Sequence, residues 1–158
     1  ITKLPWGMIF PHAQRFPASA EWVQDFAADI GMSIAPDQLF VNLPRHPTQI
    51  YEMLTEGVLA WLIIWFLVKD RNPFPGFIMS LYIGMYGVFR FVIDYFRMPL
   101  GSDFALRLSA IENPPYLLLT PWNFIASQFY SFAMIVASVI MMVVFARMHR
   151  KRSELAAG

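Results

Sequence analysis

Residues 124–146 read FIASQFYSFAMIVASVIMMVVFA, an apolar run without a charge. About 20 predominantly apolar residues cross the hydrocarbon of a bilayer as a helix, and two further stretches meet that length. Thr48–Val68 (TQIYEMLTEGVLAWLIIWFLV) ends in an uninterrupted apolar run from Gly57, and Phe77–Phe96 reads FIMSLYIGMYGVFRFVIDYF. With 57% hydrophobic and 15% charged residues, the chain is expected to be an all-α integral membrane protein with about three transmembrane helices. A net charge of +1 makes no case for nucleic acid. The absence of cysteine excludes a disulfide, a thiolate metal site or a cysteine nucleophile within the chain, so any thiol in the chemistry is the substrate's. The chain opens on Ile1 and shows no signal-peptide pattern in Ile1–Pro11, so it is expected to be the tail of something longer.

Lysine and arginine set the orientation. Lys69 and Arg71 lie in the linker 69–76, and RMHRKR at 147–152 opens the tail 147–158. Three spans place both on one side, which the excess of cations marks as cytoplasmic. Residues 1–47 and the loop 98–122 are then extracytoplasmic, with spans at 48–68, 77–97 and 123–146. Within the first segment, Ser19 followed by Trp22, Val23, Phe26, Ala27 and Ile30, closed by Gly31, predicts a short amphipathic helix with Ser19 as its N-cap. Pro47 and the Thr120-Pro121 pair are expected to start the first and third spans with proline at the first helical position.

The second span carries charge where a membrane helix should not. A charge at membrane depth costs about 2.5 kcal/mol or more, so it is usually paired, faces protein or a wet cavity, and marks function. At about 100° per residue, Tyr86, Arg90, Asp94 and Arg97 share a sector of about 80°. Two guanidiniums on one face suit a phosphate or carboxylate, which the guanidinium fork meets bidentately. The plainer alternative is an Arg90–Asp94 pair that only locks helices together. In the oriented chain Arg97 lies at the outer interface and Arg90 about 10 Å deeper, at 1.5 Å per residue.

The first span opens on PRHPTQIYE at 44–52. Arg45 and His46 stand at the membrane boundary, where a cation can meet a lipid phosphate; a snorkelling anchor and a helix-start residue are the structural alternatives. Gln49, Glu52 and Glu56 form a polar face, and Glu56 is deep enough to need a partner, for which Arg90 is the natural candidate. His46 is more often a hydrogen-bonding residue than a base in such a place. No cluster has metal spacing, so no metal site is expected. Gly57, Gly84 and Gly87 permit close helix approach, and Gln128 and Ser131 are expected to hydrogen-bond between helices.

PRHPTQIYEMLTEGV, then GMYGVFRFVIDYFRMP, then a glutamine-containing last span with a basic tail, resemble in order the C-terminal half of the prolipoprotein diacylglyceryl transferase family, as does LPWGMIFP at 4–11. The resemblance implies a seven-span enzyme of the bacterial inner membrane, working without a cofactor at the extracytoplasmic side. It would transfer the diacylglyceryl group of phosphatidylglycerol to the lipobox cysteine of a preprolipoprotein and release glycerol phosphate. By the same resemblance Arg90 binds phosphate, Tyr86 lines the pocket, Glu56 and Asp94 orient the arginine, and Arg97 screens the headgroup. Arg45, His46 and Gln49 fall on the family's substrate-binding segment. The family usually has glutamate at Asp94, and the shorter arm is expected to weaken direct pairing. An essential histidine and a further arginine are expected upstream of Ile1, in a missing N-terminal half of the same chain or a split partner, so this fragment alone is expected to lack a complete site. The competing expectation is a non-enzymatic transporter or channel subunit in which Arg90, Asp94 and Glu56 gate an ion path.

Overall fold

The computed structural model describes residues 1–97, 104–107 and 123–157. Residues 1–47 form a small head with its own core. The strands β1 (Phe16–Pro17) and β2 (Phe40–Val41) pair antiparallel, Phe16 opposite Val41, and the helix α1 (Glu21–Asp29) packs on them. Ile1, Phe16, Val23, Phe26, Val41 and Leu43 are buried together, and Phe16 meets Trp22 edge to face at 5.1 Å. The apolar stripe of α1 is therefore spent on this core.

The start of α1 differs from expectation: Ala20, not Ser19, is the N-cap residue, and no side chain caps the helix. Glu21 in the first turn supplies negative charge to the N-terminal dipole instead. The other end closes as the glycine predicts. Gly31 takes φ +69°, and the Met32 and Gly31 N–H groups donate to Ala27 O (2.8 Å) and Ala28 O (3.1 Å), the two bonds of a Schellman motif. The first residues of the chain are stitched to the segment before the first long helix by Thr2 N–H to Pro44 O and by paired bonds between Met8 and Arg45, all 2.9 Å.

Among the described residues three helices are long and apolar enough to cross a membrane: α2 (Thr48–Arg71), α3 (Phe77–Phe96) and a third, α4, whose helical run is Ala126–Ala157. Pro47 sits at the N-cap of α2 rather than at its first helical position. α2 is not a uniform α-helix. Met53–Leu59 and Ile64–Val68 form wide π turns, and Lys69–Arg71 tightens into a 3-10 turn that carries the helix into the predicted linker. The Thr55 hydroxyl donates to Tyr51 O at 2.8 Å where the wide turns begin; such back-bonding draws a carbonyl from the helical ladder. Gly76, at φ +93°, then admits α3. A Cβ there would stand 2.7 Å from the Phe145 ring.

α3 packs against both α2 and α4. It approaches α4 closely at Gly84 and Gly87, where an added Cβ would meet Ser138 Oγ at 2.5 Å and the Ser131 carbonyl at 2.9 Å. Ser138 Oγ donates to Ser80 O (2.7 Å) and Gln128 Nε2 to Phe91 O (3.3 Å), so both bonds cross the helix pair. One expectation fails here: Ser131 bonds within its own helix, to Ser127 O at 3.0 Å. Among the described residues, its own helix backbone and chain neighbours aside, nothing lies within 4 Å of a Cβ placed on Gly57. α4 also runs through the basic tail: the Arg, Met and Lys residues of 147–152 are good helix formers, and Arg150 pairs with Glu154 at 3.0 Å. The strands β3 (Phe104–Arg107) and β4 (Asn123–Ile125) pair antiparallel in front of it, so a strand precedes Ala126. Thr120-Pro121 and most of the loop 98–122 lie outside the described residues.

Candidate functional site

Arg90 lies on the face of α3 turned to α2, and three carboxylates gather on it. Nη1 is ion-paired to Glu52 Oε1 and stands 3.9 Å from Glu56 Oε1, while Nε stands 3.8 Å from Asp94 Oδ1, one turn on along α3. The Asp94 side chain is fully buried and that of Glu56 is 12% exposed, against 21% for Arg90. The Tyr86 phenol, one turn before Arg90, joins the group by its interaction with the Glu56 carboxylate. The contact that the sequence assigned to Glu56 is thus closest at Glu52. Glu52 was legible as part of the polar face of α2, but nothing in the spacing ranks it above Glu56. The shorter arm of Asp94 still reaches ion-pair distance of Arg90.

A second cluster sits at the head end of these helices. Trp6 Nε1–H donates to the Tyr51 hydroxyl oxygen at 2.9 Å, and Tyr51 lies 3.2 Å from His46 Nδ1. The Phe96 ring closes on His46 (5.2 Å) and Tyr51 (6.0 Å), both edge to face. Burial pushes the His46 imidazole below the ordinary histidine range, so the ring is neutral at pH 7. Tyr51 carried no sequence signal beyond its place in PRHPTQIYE, because its role depends on Trp6, 45 residues away.

The remaining candidates stand apart from the arginine group. The Arg45 guanidinium donates to Gln14 O and lies 5.5 Å over the Phe16 ring, which ties it to the head. Gln49 is exposed, and Arg97 is exposed where α3 ends. Among the described residues no group of three His, Cys, Asp or Glu side chains is placed to hold a metal ion. The arrangement sets one guanidinium at the α2–α3 interface among carboxylates from both helices, Glu52 and Glu56 from α2 and Asp94 from α3.

Comparison with known proteins agrees in family. Residues 1–144 match the family model described as prolipoprotein diacylglyceryl transferase. The phosphatidylglycerol–prolipoprotein diacylglyceryl transferase of Treponema pallidum (strain Nichols) is 39% identical over 157 residues, 97% of this chain and 47% of the relative. That of Treponema denticola is 36% identical, covering 98% of this chain and 46% of the relative, and that of Burkholderia mallei (strain SAVP1) is 34% identical, covering 88% and 42%. The chain therefore spans about half the length of the curated relatives it matches. No solved structure matches. By its match along most of its length, this chain belongs to the prolipoprotein diacylglyceryl transferase family.

Proposed function

We propose that this chain supplies the arginine-bearing part of an enzyme that transfers the diacylglyceryl group of phosphatidylglycerol to the lipobox cysteine of a preprolipoprotein. The relatives' names carry the substrates, and one observation carries the site: a guanidinium in a spanning helix, held by Glu52, Glu56 and Asp94. In this reaction the cysteine thiol gives up its proton to solvent as its sulfur bonds to the terminal carbon of the diacylglyceryl group, the bond from that carbon to the phosphate oxygen breaks, and glycerol phosphate leaves with the electron pair. Negative charge grows on the phosphate as that bond breaks. A preoriented guanidinium binds this charge more tightly than it binds the diester, which lowers the barrier. Arg90 holds the phosphate, Tyr86 donates its hydroxyl beside it, and Glu52, Glu56 and Asp94 fix the fork. Arg97 meets the headgroup at the rim, and His46 and Arg45 belong to the substrate-binding edge.

The complete enzyme has seven spans, three of them here, and sits in the bacterial inner membrane. Lys69 and Arg71 at one end of α2 and the cations of 147–152 support a cytoplasmic C-terminus, with the head and the Arg90 end of the site extracytoplasmic. The remaining spans, in the same chain or a partner, complete the site. The test is complementation of cells depleted of their own transferase by the complete reading frame, with Arg90 intact or changed to Ala. A reporter lipoprotein should gain the mass of a diacylglyceryl group with Arg90 only. Equal gain from Arg90→Ala would end the assignment of Arg90, and no gain from either membrane-inserted protein would end the proposed reaction.

A further inference from the structure

Three carboxylates face the single guanidinium of Arg90, which leaves negative charge in excess within a group largely withdrawn from water. Asp94 is fully buried with both oxygens lacking a hydrogen-bond partner, and Glu56 Oε1 is buried without one as well. The titratable and charged side chains that face Glu56 are Glu52 on α2 and Tyr86, Arg90 and Asp94 on α3. On the other side of α3, α4 brings the uncharged Gln128, Ser131 and Ser138. At the head end His46 is turned to Tyr51 and Phe96, and Arg97 is exposed.

A phosphate that binds this arginine meets a conflict. The Nη1 of Arg90 is already ion-paired to Glu52, and Glu56 Oε1 and Asp94 Oδ1 stand 3.9 Å from Nη1 and 3.8 Å from Nε. The phosphate also adds negative charge where the excess already lies, and in a poorly hydrated site such charge is relieved most readily by neutralising one of the groups. Of the two carboxyl groups with orphaned oxygens, Asp94 is fully buried and Glu56 is 12% exposed, which makes Glu56 the more accessible to an incoming proton.

Building on the phosphate-binding reading of Arg90, we propose that binding of a phosphate ester there takes up one proton from solution onto Glu56. The carboxylate becomes a carboxylic acid, no longer competes with the phosphate for the charge of Arg90, and turns from a repelling charge into a hydrogen-bond donor beside the phosphate. Anion binding and proton uptake are then linked, and linkage of one proton makes affinity fall about tenfold for each unit of rising pH.

The experiment is calorimetric titration of the full-length protein in detergent with short-chain phosphatidylglycerol, a diester whose own charge is constant near neutral pH. Buffers of differing ionisation enthalpy report the protons exchanged. The expected result is uptake of about one proton by the unsubstituted protein, and none by Glu56→Gln, whose affinity no longer varies with pH. Binding without uptake overturns the proposal while leaving the phosphate role of Arg90 intact, and so does undiminished uptake in Glu56→Gln. Lipid that fails to bind, or binds Arg90→Ala equally well, overturns both. Should Glu56→Gln not fold, infrared difference spectra of the unsubstituted protein decide: a protonated-carboxyl band must appear on lipid binding, and its absence overturns the proposal.

Discussion

Alanine at Gly87 should push α3 and α4 apart. The new Cβ would stand 2.9 Å from Ile135 Cγ1, 2.9 Å from the Ser131 carbonyl oxygen and 3.3 Å from Ile135 N. Two of these atoms are α4 backbone, so no change of rotamer relieves the clash. Favourable carbon contacts lie at about 3.5–4.0 Å, so the helices must separate by roughly half an ångström. Overpacking of this kind costs about 1–3 kcal/mol. Separation also strains the Ser138–Ser80 and Gln128–Phe91 bonds, each worth about 0.5–1.5 kcal/mol. Alanine's better helix propensity returns about 0.8–1.0 kcal/mol, so the net loss is about 1–3 kcal/mol. Gly84→Ala is the graded comparison. Its Cβ would meet only Ser138, at Oγ (2.5 Å) and Cβ (3.3 Å), and that hydroxyl can rotate away at the expense of its bond to Ser80. The propensity gain nearly cancels that loss, leaving about 0–1 kcal/mol. Thermal unfolding in detergent, followed by tryptophan fluorescence, should lower Tm by about 2–12 °C for Gly87→Ala at about 2–4 °C per kcal/mol, and by clearly less for Gly84→Ala. The reverse order, or a Gly87→Ala protein as stable as its parent, would refute the reading of this interface.

Two further perturbations address the site. Arg90→Lys keeps the charge among Glu52, Glu56 and Asp94 but loses the planar fork. With one charge-assisted bond of about 1.5–3 kcal/mol lost, turnover of a lipobox peptide should fall about 10- to 140-fold, with Tm nearly unchanged; near-normal turnover would sink the bidentate role. At His46, burial depresses the folded-state pKa below the ordinary value, so on acidification the unfolded chain takes up its proton first. The stability this neutral ring contributes is fully present above about pH 6.5 and is lost as pH falls below that value toward the folded pKa. Tm measured downward from pH 7 should fall faster in the unsubstituted protein than in His46→Gln, and parallel curves would contradict the buried neutral ring.

The spans were legible because a bilayer imposes a length that composition alone reveals, and their ends were not. Nothing near Arg147 stops a helix, so α4 continues to Ala157 where the sequence suggested a tail. Gly57 shows a second limit. Like Gly87 it permits a close approach, but among the described residues, its own helix backbone and chain neighbours aside, no atom lies within 4 Å of its would-be Cβ.

The same distinction separates the two kinds of contact at Arg90. Its partner within α3 follows from counting, because residues four apart lie on one face, and Asp94 is found there at 3.8 Å. Its partner across the interface does not, because α2 offers two carboxylates one turn apart and the choice depends on how that helix is rotated. Counting at 3.6 residues per turn assumes a regular helix, whereas α2 passes into wide turns at Met53, between Glu52 and Glu56. No composition announces those turns. The one local cause the structure offers is the Thr55 hydroxyl on the Tyr51 carbonyl, a bond that an amphipathic reading of the sequence has no reason to weigh. Wide turns of this kind are rare and gather at functional sites. Here they lie between the two carboxylates that face one arginine, so the spacing that made both Glu52 and Glu56 legible could not rank them.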